Sequence, residues 1–358
     1  MFKTYEKYII KSFFNKFVTI SIIFLSLVII LSILEEISFF KNLNVSFLYP
    51  YFLTLLGAPI TLFEMFPFIF LLSTQFLFYD LFKKEELNIL KSNGLSNFRI
   101  IKILFFSSLV MGLFTVFIYY NLSSKLKFFY TDIKNKFSND NKYLAVVTDS
   151  GLWLKDEINE NILIVKATNI KDNYLVNVII YEFDKNFNLQ STLQSEKVNI
   201  SQKRWIIKNL IKTVDNASNE INNFELQTNF DNAKINSLFS NISTLNILEL
   251  FNLKKDYENL GYSSDEIIIH LLKLFSTPFF YGVLTVMSSI IMFNFRKDKS
   301  LFFHIILGIL MSVIIYYVNF MFSSLGNSGK IPILLSIFLP IFLISIFAII
   351  GLIRINEK

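Results

Sequence analysis

The residues able to carry enzymatic or metal chemistry are few. The 358-residue chain has no cysteine and two histidines, His270 and His304. Without a thiol there is no disulfide framework, no thiolate metal site and no cysteine nucleophile. Two histidines leave little for a metal site or a catalytic relay, and no H-E-x-x-H or G-x-S-x-G string occurs. The nearest approach to a phosphate loop is Gly326-Asn327-Ser328-Gly329-Lys330-Ile331. Its spacing is wrong and no Ser or Thr follows the lysine, so it reads as a turn. The carboxylates between 125 and 262 are scattered among Asn and Lys, as on a solvated face. These absences argue for a non-catalytic protein that needs no cofactor.

Charges inside or beside long apolar stretches carry more information, because placing them in lipid is costly. Glu64 stands between Phe63 and Met65 in such a stretch. It is a candidate polar contact in a central cavity, or else an interfacial residue paired with a neighbouring helix. His270 and Lys273 lie one helical turn apart at the start of another stretch. They suit an anionic head group or simple interfacial anchoring equally well. His304, near Lys299, suits a snorkelling or structural role. A second kind of site is the polar link from Asp80 to Arg99. Its segment from Lys83 to Lys91 predicts a short amphipathic helix (about 83–93) with Leu87, Leu90 and Ile89 as the apolar edge. Asn93-Gly94 would stop it, and Ser96 or Asn97 would cap the third span. Such a helix fits a docking knob for a soluble partner or a loop packed on its own bundle.

These residues need a scaffold, and composition names it. Hydrophobic residues make up 53% of the chain, charged residues 17%, and Phe alone accounts for 42 positions. About 25% charged is usual for soluble proteins. Stretches free of Asp, Glu, Lys and Arg predict six helices, near 17–37, 50–79, 100–122, 266–294, 301–322 and 331–353. About 20 apolar residues cross a bilayer core as a helix, which pairs every backbone group internally. The first stretch follows a basic run (Lys3, Lys7, Lys11, Lys16) but precedes Glu35-Glu36-Ile37-Ser38-Phe39-Phe40. With no small-residue cleavage site there, it predicts a retained helix. Lys and Arg concentrate at the N-terminus, between 83 and 102, between 296 and 299, and at the C-terminus. The alternate loops carry only Lys41 and Lys330. By the positive-inside rule both termini are cytoplasmic and the long polar insert lies outside. The net charge of +6 is therefore a topology signal, not a nucleic-acid footprint.

The insert predicts strands at 143–148, 152–154, 162–167, 176–183, 189–193, 197–200 and 205–211, separated by turns such as Asp149-Ser150-Gly151 and Asp184-Lys185-Asn186. In 175–183 the odd positions Leu175, Ile179, Tyr181 and Phe183 are apolar, though Val178 and Ile180 blur the alternation. From Thr244 to Asn259 the period becomes helical, with Gly261 as the stop. Ser263-Ser264-Asp265-Glu266 reads as a capping box opening the fourth span. The expected fold class is an α-helical polytopic membrane protein with six transmembrane helices and an inserted all-β domain, an antiparallel sandwich or open barrel by its strand spacing. Residues 1–124 hold three spans, 125–262 the β domain and connector helix, and 263–358 the other three.

This layout, with several motifs in order, resembles the LptF/LptG family of lipopolysaccharide-export permeases over essentially the whole chain. Glu86-Leu87, followed by Gly94 eight residues after the glutamate, is similar to the family's coupling helix. Gly151-Leu152-Trp153-Leu154-Lys155-Asp156 resembles its G-L-W-x-K-D strand start, and Gly261, His270, Lys273 and Pro278 its fourth span. Leu325-Gly326 through Pro332, with Pro340, resembles the LptG branch more than LptF. The resemblance implies a bacterial inner-membrane permease that pairs with its sister, LptF. Two copies of the cytoplasmic ATPase LptB would drive the pair, and the chain itself would hydrolyse nothing. Lipopolysaccharide would pass to a periplasmic β-jellyroll bridge continued by LptC and LptA. It also implies that Glu86, with Leu87, Leu90 and Gly94, couples to the ATPase. Acyl chains would travel along apolar strand faces, for which Ile164 and Ile179 are the candidates. Head-group contacts would fall to Lys41, Glu64, His270 and Lys273. Family members often carry basic residues near the outer end of the first span; here Lys41 is the only one in 35–41. Two other readings fit the same residues: an ABC-type permease that moves an external domain without passing lipid, and a membrane-anchored structural or sensor protein.

The absence of native cysteine makes the topology directly testable. Asn216→Cys and Lys297→Cys should label from opposite sides of the membrane in intact cells; labelling of both from outside would overturn the charge-parity argument.

Overall fold

The computed structural model describes residues 3–41, 45–137, 152–158, 161–171, 173–214, 217–232, 234–235, 241–259, 263–293 and 301–356. The chain divides into two compact units. The first comprises Met1–Tyr130, Ser243–Leu250 and Asp265–Lys358, and the second Thr131–Ile242 and Phe251–Ser264. The strand expected at 143–148 and the stop at Gly261 lie outside the described residues.

The helical unit contains α1 (Thr4–Phe40), α2 (Tyr49–Lys83), the short α3 (Glu86–Ser92) and α4 (Asn97–Phe114). A π turn, Thr115–Tyr120, joins α4 to α5 (Asn121–Phe137). After α6 (Ile247–Asn259) come α7 (Asp265–Phe293), α8 (Leu301–Asn327) and α9 (Ile333–Asn356). Among the described residues 6 helices are long and apolar enough to cross a membrane: α1, α2, α4 continued into α5, α7, α8 and α9. Two of them outrun the charge-free windows. α1 starts at Thr4 because its first turns are amphipathic and bury Ile9 and Phe13 in the bundle. The third span continues to Lys134 because Lys125 and Lys127 sit in a helix with its own apolar face. α7 opens at Asp265, where the capping sequence places it.

The bundle is held by aromatic stacking and by close approach at small residues. Phe70 of α2 stacks on Tyr281 of α7, ring centroids 4.4 Å apart at 22°. A Cβ on Gly112 would lie 2.7 Å from the Pro278 Cα, so α4 and α7 touch backbone to backbone there. One turn away the hydroxyls of Ser108 and Thr285 share a hydrogen bond of 2.7 Å, and Ser288 donates to the Leu71 carbonyl at 2.8 Å.

Among the described residues the second unit carries a 7-stranded antiparallel sheet of β1 (Leu152–Ile158), β2 (Asn161–Ala167), β3 (Asn169–Lys171), β4 (Tyr174–Phe183), β5 (Leu189–Asn199), β6 (Arg204–Val214) and β7 (Ala217–Gln227). Its order is β1-β2-β4-β5-β6-β7, with β3 pairing β4, so the long strands meander. The runs at 189–193 and 197–200 are one strand. β7 is so polar (Ala-Ser-Asn-Glu-Ile-Asn-Asn) that no alternation announces it. The alternation in β4 also differs from expectation. Leu175, Val178 and Ile180 are buried, whereas Ile179 and Tyr181 take the other face. Asn177 explains the shift: its φ of 50° places it in the left-handed region and moves the inward phase by one residue. Asn209, φ 49°, does the same between Ile207 and Leu210 in β6. Trp205 is fully buried and donates its indole N–H to the Phe230 carbonyl at 2.8 Å.

Gly112→Val should lower the thermal stability of the purified protein, since overpacking costs about 1–3 kcal/mol and backbone cannot swing aside. An unchanged melting temperature in detergent would show that α4 and α7 do not meet backbone to backbone.

Candidate functional site

Three groups of residues stand out: α3 with its surroundings, a polar cluster at the far end of the bundle, and the open face of the sheet.

α3 is set between two left-handed residues. Glu85, φ 58°, breaks α2 from α3, which is why the helix starts at Glu86 and not at Lys83. Gly94, φ 83°, ends it with its N–H on the Lys91 carbonyl at 2.9 Å, and Leu95 donates to the Leu90 carbonyl at 3.1 Å. Ser96 caps α4 by accepting from the Arg99 N–H at 3.3 Å. Leu87 is 2% exposed and belongs to the bundle core, with Leu90 packed against it. They fix α3 to its own chain, Leu87 fully buried and Leu90 half-buried. The most exposed apolar side chain on α3 is Ile89, 58% exposed, flanked by exposed Glu85, Asn88 and Ser92. Glu86 is half-buried and accepts a hydrogen bond on Oε2 from the Tyr8 hydroxyl of α1 at 2.6 Å. Nearby, Lys16 of α1 pairs with Asp80 of α2 at 2.5 Å. No local sequence signal points to Tyr8, because its partner lies 78 residues away.

At the opposite end of the bundle, buried Glu36 of α1 accepts from the Tyr130 hydroxyl of α5 at 2.6 Å. Lys127 lies 4.2 Å from the Tyr130 ring centroid and attracts the carboxylate of Glu64, which is exposed on α2. His270 is held: its Nε2 meets the Tyr120 hydroxyl at 2.8 Å, and that hydroxyl also donates to the Leu245 carbonyl at 3.1 Å. The neighbouring Tyr119 donates to the Pro59 carbonyl at 3.0 Å. Both tyrosines end the π turn, a distortion often found at functional positions. Lys273 is exposed one turn beyond His270, and Lys41 is exposed at the end of α1. His304 is buried, and its carbonyl accepts from the Gln75 amide at 2.9 Å.

On the sheet, Trp153, Lys166, Ile179, Gln194, Ile211 and Glu220 form one cross-strand row. Lys155, Ile164, Tyr181, Thr192, Thr213 and Ser218 form the next. Paired residues share a face, so Ile164 and Ile179 stand on the same, less buried side. An open groove of about 1480 Å³ follows this face, lined by apolar Tyr174, Val176, Ile179 and Ile206 and by charged Lys166, Lys197 and Lys208. Trp153 is 43% exposed, with the Lys166 ammonium 5.0 Å from its ring centroid. Asp156 turns the other way. It is 3% exposed and accepts the Asn229 backbone N–H at 2.9 Å and side-chain amide at 2.8 Å, so it braces the fold.

The family model described as "Lipopolysaccharide export system permease LptF/LptG" matches residues 7–354. That span takes in α3, the sheet and both sets of membrane helices. No curated protein matches the chain.

Proposed function

The chain belongs to the LptF/LptG family of lipopolysaccharide-export permeases, and from that we propose that it is the LptG-type subunit of an ABC exporter in the bacterial inner membrane. In this reading it pairs with LptF, two LptB subunits hydrolyse ATP beneath the pair, and LptC and LptA continue the route outward. Both termini and α3 face the cytoplasm, as the loop charges argue, and the sheet lies in the periplasm. The observation that carries the reading is the match from 7 to 354, which takes in six candidate spans, a loop helix and a β domain of this chain. The chain has no phosphate loop of its own, which supports a separate ATPase.

The site residues then divide by task. Glu86 is the carboxylate offered to a basic group on LptB, and Ile89 supplies the exposed apolar contact. Leu87, Leu90 and Gly94 hold α3 in place. Lys41 and Lys273 meet lipid head groups, while Glu64 and His270 shape the polar rim through Lys127 and Tyr120. Ile164 and Ile179 contact acyl chains in transit along the sheet, where apolar strand residues gain about 25 cal/mol per Å² covered.

A photo-crosslinker at Ile164 or Ile179 should capture lipopolysaccharide only during ATP turnover. Capture that ignores ATP, or no capture at all, would favour a permease that moves its β domain without passing lipid along it.

Glu86→Ala should leave the protein inserted and folded but weaken LptB association by more than tenfold, because truncating one partner of a desolvated interface pair costs about 2–5 kcal/mol. Glu85→Gln, a change to an exposed residue, should have little effect, since screened surface pairs contribute about 0–1 kcal/mol. Equal effects from both substitutions would remove Glu86 from the coupling role.

A further inference from the structure

We propose that Tyr8 is the positioning residue for the coupling carboxylate: it fixes Glu86 for the ATPase and ties α1 directly to α3. This rests on the reading of α3 as the ATPase-docking helix.

The geometry favours a fixed arrangement over a chance surface contact. The Tyr8 hydroxyl lies 2.6 Å from Glu86 Oε2, within the short range of O–H···O⁻ bonds to an ionised acceptor, about 2.5–2.7 Å. Each partner sits beside an immobilised neighbour. Ile9, next to Tyr8, and Phe13, one turn on, are both 0% exposed, while Leu87, next to Glu86, is 2% exposed. All three belong to one cluster with Leu81, Leu95 and Ile100. Little further freedom is therefore lost when the hydroxyl and carboxylate meet, so their orientation is set before any partner arrives.

The chemistry leaves room for that partner. A carboxylate offers about four lone-pair sites on two oxygens, and the bond to Tyr8 engages Oε2 alone. The nearby Asp80 is paired with Lys16. The phenol itself is 42% exposed, so the pair is reachable from solvent. A guanidinium or ammonium from the ATPase can approach Glu86 while Tyr8 keeps its rotamer. A push or pull on α3 then reaches α1 through this bond as well as along the chain through α2.

A double-mutant cycle separates this from general packing. Full-length permease complex in nanodiscs, carrying Tyr8→Phe, Glu86→Ala or both, would be titrated with fluorescent ATPase subunit, and its melting temperature recorded. Tyr8→Phe keeps the ring and removes only the hydroxyl. It should weaken ATPase binding about tenfold, in line with a hydrogen bond to a charged group, with the melting temperature nearly unchanged. In the Glu86→Ala background the same change should do nothing. Full binding by Tyr8→Phe alongside weak binding by Glu86→Ala would overturn the positioning role and leave the coupling reading standing. Equal losses from Tyr8→Phe in both backgrounds would also overturn it, as a purely structural effect. Full binding by Glu86→Ala as well would remove the coupling reading and this inference with it.

Discussion

Helices in lipid gain nothing from hiding apolar surface against one another, because lipid tails are as apolar as leucine. That constraint governs the helical unit. Many of its large side chains face outward: Ile22, Leu31 and Leu34 of α1 and Tyr317 of α8 are 61%, 67%, 63% and 66% exposed. Where helices meet, small and hydroxyl residues let backbones close in. Gly112 lies against Pro278, Gly308 against the Gln75 amide and Gly326 against Ser336. Ser108 and Thr285 exchange a hydrogen bond between α4 and α7, and Ser288 reaches the backbone of α2. Dispersion and interhelical hydrogen bonds thus provide the attraction that water provides in a soluble core.

Against this background, tyrosine is the connector between distant elements. Its ring packs with phenylalanines and its hydroxyl finds a polar partner. Tyr8 meets Glu86, Tyr119 meets Pro59, Tyr120 meets His270 and Leu245, and Tyr130 meets Glu36. The carboxylates involved lie at the two ends of the bundle. At the end of the π turn, Tyr119 and Tyr120, adjacent in sequence, reach α2 and α7 respectively. α3 and the far-end polar cluster are built from the same device.

The sheet shows a different economy. One face is packed around Trp205, Leu175, Val178 and Leu193, and Asp156 braces it through Asn229. The other mixes isoleucines, tyrosines and lysines along an open groove. Lysine stems can cover apolar surface while their ammonium groups remain in water, so this face can be amphipathic without collapsing. Two left-handed asparagines, Asn177 and Asn209, keep the division of faces consistent across β4 and β6 where the phase changes.

The helices that cross the membrane follow from the sequence alone, because a charge-free run of about 20 residues has few alternatives in lipid. The β character of the insert, the break at Gly94, the cap at Ser96 and the start at Asp265 were equally legible, since each depends on neighbours a few residues apart. The candidate site was legible only as a set of residues. Leu87 and Leu90 read as a contact edge on helical spacing, yet the bundle buries Leu87, half-buries Leu90 and leaves Ile89 outside. Ile179 read as in phase with Leu175 until a left-handed Asn177 put them on opposite faces. β7 was hidden because an exposed strand of Asn, Ser and Glu carries no alternation. Tyr8, Tyr120 and Tyr130 gave no sign of their partners, which stand 78, 150 and 94 residues away. Local patterning records which side chains tolerate lipid or water. Which polar group meets which is decided when distant segments come within hydrogen-bond reach, and only the tertiary structure holds that information.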